Sequence, residues 1–220
     1  MSFYVIVSYG YLLMLLIVAT TGIACYKKLG ISFKILTIAT IISMITALLA
    51  IVSVKVIKTN APVLHVEALS EYIFYSLIYY HLFNGRGVKN GIILSIIIVS
   101  VLSVINALIW QPFTSEFPTY MNLVTLASLA VFSLLLFRQM LLCPSKTPIL
   151  KQGVFWYNTA IIFYSTTLFL QIGLSNVFKK NAGVDALVFY LWFVILYIFT
   201  ILTGIAIVAD SKENRKVHAI

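Results

Sequence analysis

Long apolar stretches alternate with short polar gaps along this chain, and seven stretches stand out: residues 3–25, 35–54, 63–83, 91–110, 118–139, 154–176 and 186–209. At about 1.5 Å of rise per residue, a helix over any of them crosses a hydrocarbon core of about 30 Å. The pattern predicts an all-α, polytopic integral membrane protein: a seven-helix transmembrane bundle over residues 1–209, followed by a short cytoplasmic tail, 210–220. The stretches leave no room for a soluble domain.

The punctuation agrees. All five prolines lie at or between run ends: Pro62 and Pro118 open runs three and five, Pro112 follows run four, and Pro144 and Pro148 precede run six. Proline is tolerated at a helix start and breaks an interior. Glycines are sparse inside the runs, with Gly22, Gly173 and Gly204 the main ones. Mostly continuous helices are therefore expected. Transporters that grip substrate with broken helices signal them by Gly/Pro interruptions at matching places in two halves, and no such repeat is visible.

Composition points the same way. The chain is 62% hydrophobic and 10% charged, against roughly 25% charged residues in a soluble domain. The net charge of +9 forms no basic stripe with interleaved aromatics, so nucleic acid is not the expected partner. Topology explains the charge better. With the N-terminus outside, the inner segments hold Lys27, Lys28, Lys34, Arg86, Lys89, Arg138, Lys146, Lys151, Lys212, Arg215 and Lys216, and the outer ones only Lys55, Lys58, Lys179 and Lys180. That asymmetry follows the positive-inside rule and sets the N-terminus outside and the C-terminus inside. Run one reads as a retained span: no basic residue precedes it, it exceeds a signal's apolar core, and Lys27–Lys28 follow it. Cys25 and Cys143 fall near inner run ends and are expected as reduced thiols.

The exception to charge-free runs is a pair of carboxylates. Glu67 and Glu71, four residues apart in run three, share one helical face. With the helix starting after Pro62, Glu71 sits on the order of 12 Å below the outer edge. An ionisable group at that depth costs at least ~2.5 kcal/mol unless it faces protein or water, and marks a functional site by default. Tyr75, Ile78 and Leu82 continue the stripe, so Glu71 is expected to point into the bundle with Tyr75 beside it. The competing reading is that Glu71 only joins neighbouring helices by hydrogen bonds.

Other polar residues lie at similar depth: Ser103 and Asn106 in run four, Asn122 and Thr125 in run five, and Gln171 in run six. Two readings stand, a ligand cavity in the outer half or ordinary interhelical bonding. On the first, Glu71 anchors a ligand, Tyr75, Asn106, Asn122 and Gln171 orient it, and the deep-lying Trp192 forms a wall. Trp110 and Trp156 fit interfacial belts.

Enzyme chemistry finds little support. His65 and His81 are far apart on one helix, no second run offers matching ligands, and neither a metal nor another cofactor is expected. No serine has a plausible His partner, Gly-x-Ser-x-Gly is absent, and run seven has no lysine for a retinal Schiff base. The segment from Met140 to Gly153, with Lys146 and Lys151, and the tail offer an inner docking surface, or serve topology and anionic lipid alone.

The stretch Lys151-Gln-Gly-Val-Phe-Trp-Tyr-Asn, running into Ile161-Ile-Phe-Tyr-Ser-Thr-Thr-Leu-Phe-Leu, resembles the sixth helix of a group of seven-helix membrane proteins from Bacteroidetes. Glu71-Tyr-Ile-Phe-Tyr is similar to their acidic, aromatic-rich third helix. Such modules stand alone or precede a sensor histidine kinase, so the resemblance implies a sensory role in a bacterial inner (cytoplasmic) membrane. The eleven residues after run seven hold no kinase domain, so signalling is expected to pass through a separate cytoplasmic or membrane partner. The expected function is a non-enzymatic membrane sensor or signalling subunit binding a small or amphiphilic ligand. The alternative is a small-solute transporter or proton-coupled carrier using Glu71.

Overall fold

The computed structural model describes residues 3–145, 147–178 and 182–217. Lys146, Lys179, Lys180 and residues 218–220, used in the topology and tail arguments above, lie outside the described residues. Seven helices follow one another: α1 (Phe3–Cys25), α2 (Ile31–Ile57), α3 (Ala61–Leu82), α4 (Arg86–Ile105), α5 (Thr119–Leu142), α6 (Gly153–Phe178) and α7 (Ala182–Val217). No strand occurs among the described residues. Pro62 lies in the first turn of α3 and Pro118 directly before α5, where a missing N–H costs nothing. The last turn of α4 widens into a π-helical segment, Asn106–Trp110, which ends the helix at its more distant end from Arg86.

Five helices, α1, α2, α4, α5 and α7, are long and apolar enough to cross a membrane. The outward surface of the bundle is apolar on every side: Leu13 and Ile17 of α1, Leu49 of α2, Leu94 and Ile97 of α4, Leu134 of α5, Leu170 of α6 and Val194 of α7 are all exposed. A contiguous apolar belt of this kind needs lipid as its solvent. The chain is an integral membrane protein. Helices α3 and α6 carry more hydroxyl, amide and carboxyl groups and turn them inward. Tyr72, Tyr75, Ser76 and Tyr79 of α3 and Tyr157, Asn158 and Ser165 of α6 are buried.

The helices do not form a simple sequential circle. α1, α2, α3, α5, α6 and α7 make a closed ring, in which α7 returns to pack on α1, while α4 lies outside it against α3 and α5. The α1–α7 seam includes a hydrogen bond from the Tyr197 hydroxyl to the Val7 carbonyl (3.0 Å) and the edge-to-face pair of Tyr11 and Phe193. Deeper in the bundle, Tyr79 donates to Asn158 Oδ1 (2.9 Å), Asn158 Nδ2 to the Ser133 carbonyl (3.0 Å) and Ser133 Oγ to the Asn158 carbonyl (3.1 Å). This fully paired network fixes α3, α5 and α6 against one another.

We call the end with the first residues of α1 the mouth end and the end with the Lys27–Lys28 turn the basic end. At the basic end α7 continues past Asp210 to Val217, so the expected tail is helical over most of its length. Asp210 is buried there and accepts a hydrogen bond from the Gly30 N–H (2.9 Å), which opens α2. A carboxylate at a helix N-terminus satisfies an orphan donor and complements the dipole. At Gly153, the start of α6, an added Cβ would lie 2.7 Å from the Asp210 Cβ and 2.8 Å from the Ala206 carbonyl. The missing side chain lets α6 and α7 touch backbone to backbone.

Candidate functional site

A cavity of about 600 Å³ fills the mouth half of the ring, within the ~300–1,000 Å³ range of small-molecule sites. All six ring helices contribute to its wall and α4 does not. Most of the wall is apolar, with Leu12, Ile51, Leu64, Leu126, Leu168 and Leu196 among its residues. Lys55 and Asn60 line it nearer the mouth end, and Phe117 packs edge-on against Trp192 at 5.6 Å between centroids. Tyr9 of α1 and Val54 of α2 line the cavity and are also about half exposed, at 47% and 46%. Both lie toward the mouth ends of their helices, where the space approaches the surface.

The polar groups gather where the cavity is deepest. Helix α2 carries Thr37, Thr40, Ser43 and Thr46 at intervals of three, all buried. Because α2 and α3 run antiparallel, Ser43 faces Glu71 and Thr46 faces Glu67. Ser43 Oγ donates to Glu71 Oε1 (3.3 Å) and Thr46 Oγ1 to Glu67 Oε1 (3.2 Å). From across the ring, the Tyr164 hydroxyl donates to Glu71 Oε2 (3.1 Å), and its ring stacks on Phe199 at 4.5 Å. Neither carboxylate has an ion-pair partner among the described residues. Two acidic groups held only by neutral donors, at the floor of an apolar hollow, favour a cationic guest.

A second, much smaller space of about 20 Å³ lies beyond Glu71 toward the basic end. Glu71, Tyr11, Tyr164 and Leu196 line both spaces, so these residues form the partition between them.

The sequence-derived site divides accordingly. Glu71, Asn122 and Trp192 line the cavity, and Tyr75 lines the small space below it. Asn106 and Gln171 do not line either. Asn106 sits on the helix that the ring leaves outside, where its Nδ2 donates to Gln111 Oε1 (3.2 Å). Gln171 turns toward α7, its Nε2 donating to the Val188 carbonyl (3.0 Å). Gln171 thus joins α6 to α7, and Asn106 holds Gln111, whose Oε1 also accepts from the Tyr120 N–H in the first turn of α5. Glu67, Tyr11 and Tyr164 line the cavity, and Thr40 and Ser43 of α2 line the small space below it. The three-residue spacing of those hydroxyls was the signal available for them. His65, buried, has its Nε2 3.1 Å from the Glu116 carbonyl and stacks on Phe113, which ties α3 to the segment before α5.

No protein-family model matches the chain, and neither a curated protein nor a solved structure gives a significant match.

Proposed function

We propose that this protein is a non-enzymatic membrane sensor whose cavity takes a small amphiphile with a cationic head and an apolar body. The observation that carries the reading is the unpaired carboxylate pair, Glu67 and Glu71, at the floor of an otherwise apolar cavity. The head meets Glu71 and Glu67, and the rings of Tyr11, Tyr164 and Trp192 supply faces that attract a cation. The body lies along Leu12, Ile51, Leu126 and Leu168, and a chain too long for the cavity leaves at the mouth end, past Tyr9 and Val54. With the mouth end outside, as the basic residues suggest, the ligand comes from the outer leaflet or beyond it. The likeness of the Glu71 and Lys151–Leu170 stretches to sensor-kinase membrane modules is in keeping with this. Binding transmits a signal only to the extent that the ligand prefers one helix arrangement over another. A separate partner reads the arrangement at the basic end in this scheme.

The test uses the full chain in lipid nanodiscs, dodecylamine as probe and dodecanoate as its anionic counterpart, with tryptophan fluorescence as readout. A saturable change in emission on adding the amine is expected, because Trp192 lines the cavity, with affinity weakened at least about tenfold in Glu71→Gln, as for loss of one partner of a buried charge pair. Equal response to dodecanoate, or an unchanged response in Glu71→Gln, would overturn the reading. The small space beyond Glu71 favours one rival, a carrier in which a solute passes inward. Amine flux into proteoliposomes that Glu71→Gln abolishes would establish that rival.

A further inference from the structure

We infer that the 20 Å³ chamber beneath Glu71 is a binding site for a single monovalent alkali cation, sodium or potassium, distinct from the amphiphile cavity above it. The chamber has room for one small ion or one water and nothing larger. The polar side chains that line it carry oxygen only: the Glu71 carboxylate, the hydroxyls of Thr40, Ser43, Thr200 and Thr203, and those of Tyr11, Tyr75 and Tyr164. Hard oxygen donors of this kind suit hard cations.

The direction of the hydroxyl protons strengthens the assignment. Thr40 Oγ1 donates to the Leu36 carbonyl (2.9 Å), Thr200 Oγ1 to the Leu196 carbonyl (2.8 Å), and Ser43 Oγ to Glu71 (3.3 Å). With those protons committed, the three oxygens offer only lone pairs to whatever occupies the chamber. The Glu71 carboxylate repels an anion from the chamber. Thr203 supplies an independent observation. It is 3% exposed, lines the chamber, and its Oγ1 has no hydrogen-bond partner. An orphaned buried hydroxyl costs free energy unless something in the chamber meets it.

Charge decides the valence. One carboxylate reaches the chamber, because Glu67 lines only the cavity above. A monovalent ion balances that single charge, whereas calcium takes six to eight oxygen ligands, commonly several of them carboxylate. Sodium and potassium both fit a space that takes one water, and sodium, the smaller of the two, is the probe. Access is from the cavity, past the partition that Glu71, Tyr11 and Tyr164 form. This inference does not rest on the amphiphile, though both ligands share Glu71.

The experiment measures binding of radioactive sodium ion to the purified full chain in non-ionic detergent and a sucrose-balanced buffer, with no organic cation present. Saturable binding near one ion per chain is expected. Thr203→Val, which replaces the hydroxyl by a methyl group of similar size, should weaken it at least about tenfold, the equivalent of roughly 1.4 kcal/mol. Thr203→Ser should keep it within about threefold, and Thr166→Val, on the exposed face of α6 and lining neither space, should leave it unchanged. Absence of saturable binding to the unmodified protein would mean that the chamber holds water only, and would overturn the inference. Binding of equal strength in Thr203→Val would also overturn it, because the ion would then sit elsewhere. A failed amine titration has no bearing on either result, so the two proposals fail separately.

Discussion

Ser43 and Thr46 hold the carboxylates of α3 through hydroxyl protons, and Tyr164 adds a third donor from the far side of the ring. Glutamine at position 71 keeps an acceptor oxygen for this arrangement, and leucine does not. Glu71→Gln should therefore melt close to the unmodified protein in detergent. Glu71→Leu should lose about 1–3 kcal/mol, because the Tyr164 and Ser43 donors are left without their acceptor. Equal melting of the two variants would mean that the donors find other partners. The carboxylates are conspicuous in the sequence because charge inside an apolar run is rare. Their donors are not. A threonine or serine in a membrane helix can satisfy itself on its own preceding turn, as Thr40 does, so a stripe of hydroxyls alone does not announce a site. Tyr11 and Tyr164 are two of 13 tyrosines, with nothing in their spacing to distinguish them.

Helix positions along the chain were readable because apolar length is a one-dimensional property. The seven runs correspond to the seven helices within a few residues, except where α7 continues into the tail. Helix order around the bundle is a different kind of information. Asn106 has the right depth for the cavity but sits on α4, outside the ring, and depth in a sequence carries no azimuth. This separation is measurable. In a background lacking Cys25 and Cys143, a cysteine at position 122 should react with a charged, membrane-impermeant thiol reagent, and one at position 106 should not. Comparable labelling at both would place α4 in the wall. The α6–α7 contact makes a second element-scale expectation. Gly153→Ala puts a methyl group within 3 Å of α7 backbone, and overpacking of this kind costs about 1–3 kcal/mol. Gly91→Ala on α4 meets nothing within 4 Å and should be neutral or stabilising by up to about 1 kcal/mol. Thermal unfolding of both variants in the same detergent checks the contrast.

At the scale of the whole molecule, the mouth of the cavity and the concentration of lysine and arginine lie at opposite ends of the bundle. If the basic end faces the cytoplasm, a fluorescent protein fused after Ile220 will fold and glow, and a phosphatase active only outside the cytoplasm will stay inactive in the same position. The reverse pattern would turn the cavity toward the cell interior.

Because the ring is closed by α7 returning to α1, the hollow cannot exist until the last helix has left the ribosome. Glu67 and Glu71 enter the bilayer long before then. Their first shelter is the hydroxyl stripe of α2, which is synthesised just ahead of them, while Tyr164 on α6 arrives later. Consecutive helices α2 and α3 thus bring two of the three hydroxyl donors to the carboxylates, and the third waits for α6.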